Sequence, residues 1–227
     1  MPYLLLILLL ILLGLIPQWW VRRTLQRYHR QPEENFPGTG GELARHLLDR
    51  FELQDVGLEI TDLGDHYDPQ AKCVRLTEDK FHGRTLTAIT VAAHECGHAL
   101  QHAAREPLFE LRTRLAGSAA WATRIGVLLL YAAPLLTLLH RAPSVMALQM
   151  IGAFLVMGFG VLIQLMTLPV EIDASFNKAL PLLESGYLNE RQKRPARQIL
   201  RAAAFTYVAA AMAALLNLWR WRSLMGR

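Results

Sequence analysis

His94-Glu95-Cys96-Gly97-His98 forms an HExxH run. If this run is helical, the imidazoles at positions i and i+4 project from one face and can close on a single Zn²⁺, at about 2.0–2.1 Å per nitrogen. Glu95 is rotated about 100° from His94, too far round to share the metal and close enough to reach its water. That is the station of a general base, which takes the water's proton and later delivers it to a leaving amine. The flanking residues are rich in Ala and Leu, and two imidazoles with a carboxylate in such a setting need a polar partner. A metal ion supplies one.

A catalytic zinc takes a third protein ligand and keeps a fourth position open for water. His102 continues the stripe but lies about 12 Å along the axis from His94 at 1.5 Å per residue, and the HExxHxxGxxH spacing that returns a third histidine is missing. Glu171 follows a long apolar stretch, 73 positions after His98, on the side of the membrane assigned below to the HExxH run. Asp173, two positions further, would point away from Glu171 on a helix, so Glu171 is the preferred third ligand and Asp173 the reserve. Cys96 lies about 200° around the helix from His94 and faces the core. With Cys73 it makes no CxxC pair, which excludes a zinc ribbon and a disulfide framework.

The elements that must position these groups are legible in part. Residues 85–106 have no breaker except Gly97 and stop at Pro107, which predicts a helix carrying the HExxH run. Pro37-Gly38-Thr39 introduces a short amphipathic helix, with Thr39 and Glu42 at capping-box spacing and Leu43, Leu47, Leu48 and Phe51 on one face. Residues 56–61 and 72–77 read as strands, with turn chemistry at Gly64, Asp68 and Pro69.

Of the 227 residues, 52% are hydrophobic and only 19% charged, against about 25% charged in soluble domains. The charges avoid four stretches, residues 3–20, 115–139, 145–170 and 203–218, each near the length of a membrane span of about twenty residues. The expectation is therefore a mainly α integral membrane protein with about four transmembrane helices and a small α+β catalytic domain on the cytoplasmic side, which the resemblance given below implies is zincin-like, of gluzincin type. The expected organisation is an uncleaved anchor at 3–20, a cytoplasmic domain at 21–114, a transmembrane hairpin at 115–170, a cytoplasmic segment at 171–202, a last span at 203–219 and a tail at 220–227. Arg124, about ten residues into the second span, is expected to snorkel. The net charge of +5 gathers beside the apolar stretches, where positive-inside topology accounts for it, so nucleic acid is not an expected partner.

Beyond HExxH, the chain resembles the YugP-like neutral zinc metallopeptidases of bacterial membranes. The resemblance is carried by His66-Tyr67-Asp68-Pro69 with the 72–76 segment, by Ala92-Ala93-His94-Glu95-Cys96-Gly97-His98-Ala99 with Gln101, by Leu168-Pro169-Val170-Glu171-Ile172-Asp173-Ala174-Ser175, and by Ala202-Ala203-Ala204-Phe205-Thr206-Tyr207-Val208-Ala209-Ala210. It implies a membrane-bound zinc peptidase with His94, His98 and Glu171 as ligands and Glu95 as base. The layout is also similar to the HtpX and prenyl-protein CAAX protease group, in which two spans separate HExxH from a glutamate ligand. That group carries an Asp four residues after its ligand. Here Ser175 stands at that position and Asp173 at plus two, so the analogy does not itself give Asp173 a supporting role.

Three further assignments concern the surroundings of the metal site. Lys72, Cys73, Val74, Arg75 and Leu76 are a candidate sheet edge for a substrate strand. His66, Tyr67 and Tyr207 are candidate donors to a tetrahedral oxyanion, and Asp173 is a candidate support for a ligand. The function expected is a zinc endopeptidase at the cytoplasmic face of a bacterial inner membrane, acting on membrane proteins or emerging peptides and contacting the lipid bilayer. Its oligomeric state is open. The rivals are a site-2-type intramembrane protease, for which no LDG-like partner motif is present, and a zinc-stabilised scaffold or metal-handling protein, which has no use for Glu95.

Overall fold

The computed structural model describes residues 16–28, 36–140 and 165–206, with scattered positions from 148 to 163 and residue 209. A helical segment, α1, covers residues 16–28. After it come α2 (Gly40–Arg50), β1 (Gly57–Ile60), β2 (His66–Asp68), β3 (Cys73–Leu76), α3 (Glu78–Phe81), α4 (Leu86–Ala103) and α5 (Pro107–His140). The last part holds α6 (Leu168–Ile172), a π-helical segment π1 (Asp173–Ala179), α7 (Leu180–Glu184) and α8 (Glu190–Ala204).

α4 is the hub. Thr85 caps it by accepting from the Ala88 N–H, and its small buried residues Ala88, Ala92, Ala93, Cys96 and Ala99 let neighbours approach from several sides. α2 packs on it through Leu43, Ala44, Leu47 and Leu48, after the Thr39 and Glu42 capping box that the sequence predicts. π1 and α8 pack on α4 as well. α1 docks through Tyr28, whose hydroxyl donates to Gln198 Oε1 at 2.7 Å, and through Leu25 O, which accepts from Thr87 Oγ1 at 3.2 Å. Arg105, with φ of 51°, ends the run after α4 and redirects the chain into α5.

The sheet has the order β1-β3-β2, with β1 parallel and β2 antiparallel to β3. This corrects the expected substrate edge. Cys73, Val74, Arg75 and Leu76 form the central strand, paired with Gly57–Ile60 on one side and His66–Asp68 on the other, so β3 has no free edge to offer; Lys72 lies in the turn before it, with φ of 47°. β2, three residues long, sits where the sequence shows only turn signals. The Asp68 carboxylate accepts from the N–H groups of Gln70 and Ala71 at 2.9 and 3.1 Å and thereby folds the β2–β3 connection.

The four-span architecture is also corrected. The described fold is mostly helical with one small sheet, and among the described residues no helix is long and apolar enough to cross a membrane. α5 has the length, but Glu110, Arg112, Arg114 and Arg124 interrupt it, and the uncharged run that remains, residues 125–139, has 15 residues, short of the roughly 20 that a bilayer core asks for. Arg124 lies over the Trp121 ring, 5.6 Å from its centroid. Most of the first and fourth expected spans, and nearly half of the third, lie outside the described residues.

π1 reaches α4 at Gly97, where a Cβ would stand 2.8 Å from the Ala174 carbonyl oxygen. Gly97→Ala must push the two backbones apart, and is expected to destabilise the fold by about 1–3 kcal/mol. Denaturant unfolding of the variant beside the wild type checks this, and an unchanged midpoint would refute the close approach.

Candidate metal centre

Every donor of the HExxH run is held by α4, whose face toward α6 and π1 carries His94 and His98. Their rings meet edge to face, with centroids 4.7 Å apart. α6 begins after Thr167 with Pro169 in its first turn and brings Glu171 against them: Glu171 Oε2 lies 3.3 Å from His94 Nε2 and 3.3 Å from His98 Nε2. Two ligand atoms each about 2.0–2.1 Å from a tetrahedral ion are about 3.3–3.4 Å apart, so each of these two separations is that of neighbouring corners around a zinc-sized cation. His94, His98 and Glu171 are the group among the described residues able to hold a metal ion, and all three are buried.

The imidazoles are preset for ligation. Ser175 Oγ lies 3.1 Å from His94 Nδ1 and donates its proton to Leu200 O at 3.3 Å. A hydroxyl has one proton, so it accepts from His94 Nδ1–H and leaves the Nε2 lone pair facing Glu171. Gln101 does the same for His98. Its amide NH₂ donates to Val170 O at 2.9 Å and to Asp173 Oδ2 at 2.8 Å, so its Oε1 accepts from His98 Nδ1–H at 2.9 Å. A hydrogen bond to the distal ring nitrogen fixes the tautomer and orientation of a metal-binding histidine.

Charge completes the arrangement. Burial alone would raise the Glu171 pKa, but the facing His98 and His94 rings outweigh it and hold the carboxyl well below the usual carboxylate range. Burial likewise opposes a charged His94, yet contact with Glu171 and the nearby Glu95 charge raise its pKa overall. The Arg112 guanidinium approaches Glu171 Oε1 to 3.1 Å and lies over the Phe109 ring. One carboxylate oxygen thus faces the imidazoles and the other faces a cation.

The family described as "Putative neutral zinc metallopeptidase" matches residues 3–226. Bacillus subtilis (strain 168) has a relative, "Putative membrane protease YugP", that is 35% identical over 207 residues, 90% of this chain and 88% of the relative. The chain belongs to this neutral zinc metallopeptidase family. No solved structure matches it. A peptidase of this family takes a polypeptide substrate, and the buried His, His and Glu group suits the zinc of the family's description.

In this metallopeptidase the centre opens on a cavity of about 800 Å³, walled by Glu95, His66, Tyr67 and Asp68 among others. Glu95 is on α4, next to His94 in sequence and beside the same space. His66 Nδ1–H donates to Gly64 O at 2.7 Å. Tyr67 OH is 2.8 Å from His102 Nδ1, and burial pushes the phenol up to about 12, so its proton stays on at any physiological pH. His102 is packed against Tyr67 and Phe109 and lies outside the metal-binding group. Asp173 stands apart from Glu171, bonded to Gln101 and to Lys178 at 3.0 Å. Tyr207 lies outside the described residues. Cys96 points into the core, its Sγ 3.6 Å from Ala44 O.

Sequence reasoning missed three residues. Gln101 is three positions from His98, a spacing at which helical side chains meet, and that signal was available. Ser175 is four from Glu171, also on one helical face. Arg112 gave no signal apart from its position at the start of an apolar helix, where basic residues read as topology markers.

Gln101→Leu removes the partner of His98 Nδ1 and Ser175→Ala that of His94. Each is expected to weaken zinc binding by about 10–100-fold, read by competition with a chelating dye on protein whose circular dichroism matches the wild type. Unaltered affinity in both would refute the orienting role.

Proposed function

We propose that the protein is a zinc-dependent endopeptidase in which His94, His98 and Glu171 hold Zn²⁺ and Glu95 is the general base. The observation that carries this reading is the buried carboxylate oxygen 3.3 Å from two imidazole nitrogens whose other nitrogens are already committed. A bound Zn²⁺ would supply a Lewis acid for the scissile carbonyl and bring the pKa of water toward about 7. Glu95 takes a proton from the attacking water as the water oxygen bonds to the carbonyl carbon. It returns that proton to the amine nitrogen as the C–N bond breaks, so the carboxylate is regenerated. Tyr67, on the cavity wall, is a side chain that can donate to the oxyanion; His66, whose Nδ1–H is given to Gly64 O, can donate there only as the imidazolium, from Nε2.

Polypeptide strands pair with free sheet edges. In this fold the side of β2 away from β3 is the edge beside the cavity, so His66–Asp68 takes over the role expected of Lys72–Leu76. An extended substrate along β2 would bring its backbone carbonyl toward the metal-binding group.

The relative's printed name, a membrane protease, supports a site of action at a membrane. The described surface agrees in character: α5 exposes Trp121, Leu128 and Tyr131, and Leu148, Leu155 and Leu162 are exposed beyond it. Apolar groups gathered on that scale mark interaction surfaces in soluble proteins. On this reading the substrates are membrane proteins or peptides at the cytoplasmic face of a bacterial membrane.

The test uses purified protein, with zinc per chain and cleavage of an unfolded casein-like reporter measured on each variant. Glu95→Gln is expected to keep zinc and lose cleavage, while Glu171→Ala loses both. Zinc binding by the wild type without Glu95-dependent cleavage would favour a non-catalytic zinc protein, and full zinc in Glu171→Ala would remove Glu171 from the ligand set. Tyr67→Phe, with zinc retained, is expected to lower kcat by about 10²-fold if its hydroxyl serves the oxyanion. A kcat equal to the wild type would make Tyr67 part of the wall alone.

A further inference from the structure

The catalytic cavity has a mixed lining. Asp65, His66, Asp68 and Gln70 line it from the β2 region, whereas Leu25, Val91, Ala116, Gly117 and Ile163 add apolar surface, next to Arg112 and Thr113 of α5. Gly117 also lines a second space, an open groove of about 770 Å³ along α5, so the two spaces meet at this glycine. A Cβ placed on Gly117 would have nothing within 4 Å, which leaves the junction clear.

The groove is lined by Arg114, Gly117, Ser118, Trp121, Ala122 and Ile125 of α5, together with Leu155 and Phe159, so that its lining beyond Ser118 is apolar. Trp121 and Leu155 are 64% and 71% exposed, a surface that water covers at a free-energy cost and an apolar chain covers with gain. From Gly117 to Ile125 at 1.5 Å per residue is about 12 Å, which about eight residues of a helix would match.

We infer that this groove is a substrate subsite that takes an apolar helical stretch of the polypeptide beside the scissile bond. The inference rests on the endopeptidase reading above. Continuity is what names the occupant: whatever lies in the groove at Gly117 is already at the mouth of the cavity where Glu95 and the metal-binding group stand. The substrate class that fits is an amphipathic junction, with an extended polar segment beside β2 running directly into an apolar helix along α5.

Two fluorogenic peptides with the same scissile sequence test this, one continuing into about eight residues of Leu and Ala, the other into as many of Ser and Gly. They are assayed with wild type, Gly117→Trp and Ala122→Trp, after zinc content and melting temperature have shown that each variant is folded and loaded. Each buried methylene is worth about fourfold in affinity. Wild type is therefore expected to prefer the apolar peptide by at least about tenfold in kcat/KM, and both variants to lose that preference through KM. In Glu95→Gln protein, a benzophenone in the apolar stretch is expected to crosslink to α5 between Gly117 and Ile125.

Equal use of the two peptides by wild type, or a preference that survives both substitutions, overturns the inference while leaving the peptidase reading intact. Crosslinks that fall elsewhere, or that join two copies of the chain, overturn it as well. If neither peptide is cleaved in a Glu95-dependent way, the peptidase reading fails instead, and the crosslink still decides whether the groove takes an apolar helix.

Discussion

Glu171 Oε2 faces the Nε2 atoms of His94 and His98 at 3.3 Å each, in a place nearly closed to water. Three electron-rich atoms cannot share such a space without a cation among them or a proton on one of them. The surrounding structure is organised around that crowding. Ser175 and Gln101 accept the Nδ1 protons of the two rings, so both Nε2 lone pairs turn inward. Arg112 comes to the outer oxygen of Glu171 without competing for the inner one. These contacts come from α4, α5, α6 and π1, so the centre requires the whole helical assembly to be in register.

That dependence explains the role of π1. α6 supplies the third donor, and the next two turns supply Asp173, which fixes Gln101, and Ser175, which fixes the His94 ring. For one segment to deliver a ligand and both supports, its backbone has to lie against α4, and Gly97 allows this by presenting no side chain to the Ala174 carbonyl. Departures from α geometry of this kind recur at functional sites because they re-aim side chains that a regular helix would point elsewhere. The glycine within the HExxH run thus serves packing, while His94 and His98 on either side of it face Glu171.

The local signals in the sequence were read well where one strong local rule applied. The capping box at Thr39 and Glu42, the helix through the HExxH run and the strands near 57–60 and 73–76 follow from spacing alone. β2 was hidden because His66–Asp68 is too short to show alternation and sits among turn residues. Its pairing on β3 is a non-local choice, and that choice turned the expected edge into a central strand. The apolar stretches misled about architecture because the second, residues 115–139, reaches span length only if Arg124 snorkels; the uncharged run beyond Arg124 has 15 residues, short of a bilayer core. Arg112 illustrates the same limit at the site: beside an apolar run it read as a membrane-flank charge, whereas the fold spends it on Glu171.

A structural zinc site closes all four positions with protein ligands, while a catalytic one leaves a position open. Here three donors converge, and all three line a cavity of about 800 Å³. Glu95 stands on that cavity, one residue from His94 and outside the donor group. A carboxylate kept nearly buried beside a metal site, yet left out of it, adds a desolvation penalty that a purely structural centre would have no reason to retain. The wall at β2 and the apolar surface along α5 then give that cavity two different sides. The chemistry of the centre is generic to peptide bonds, so selectivity has to come from these walls.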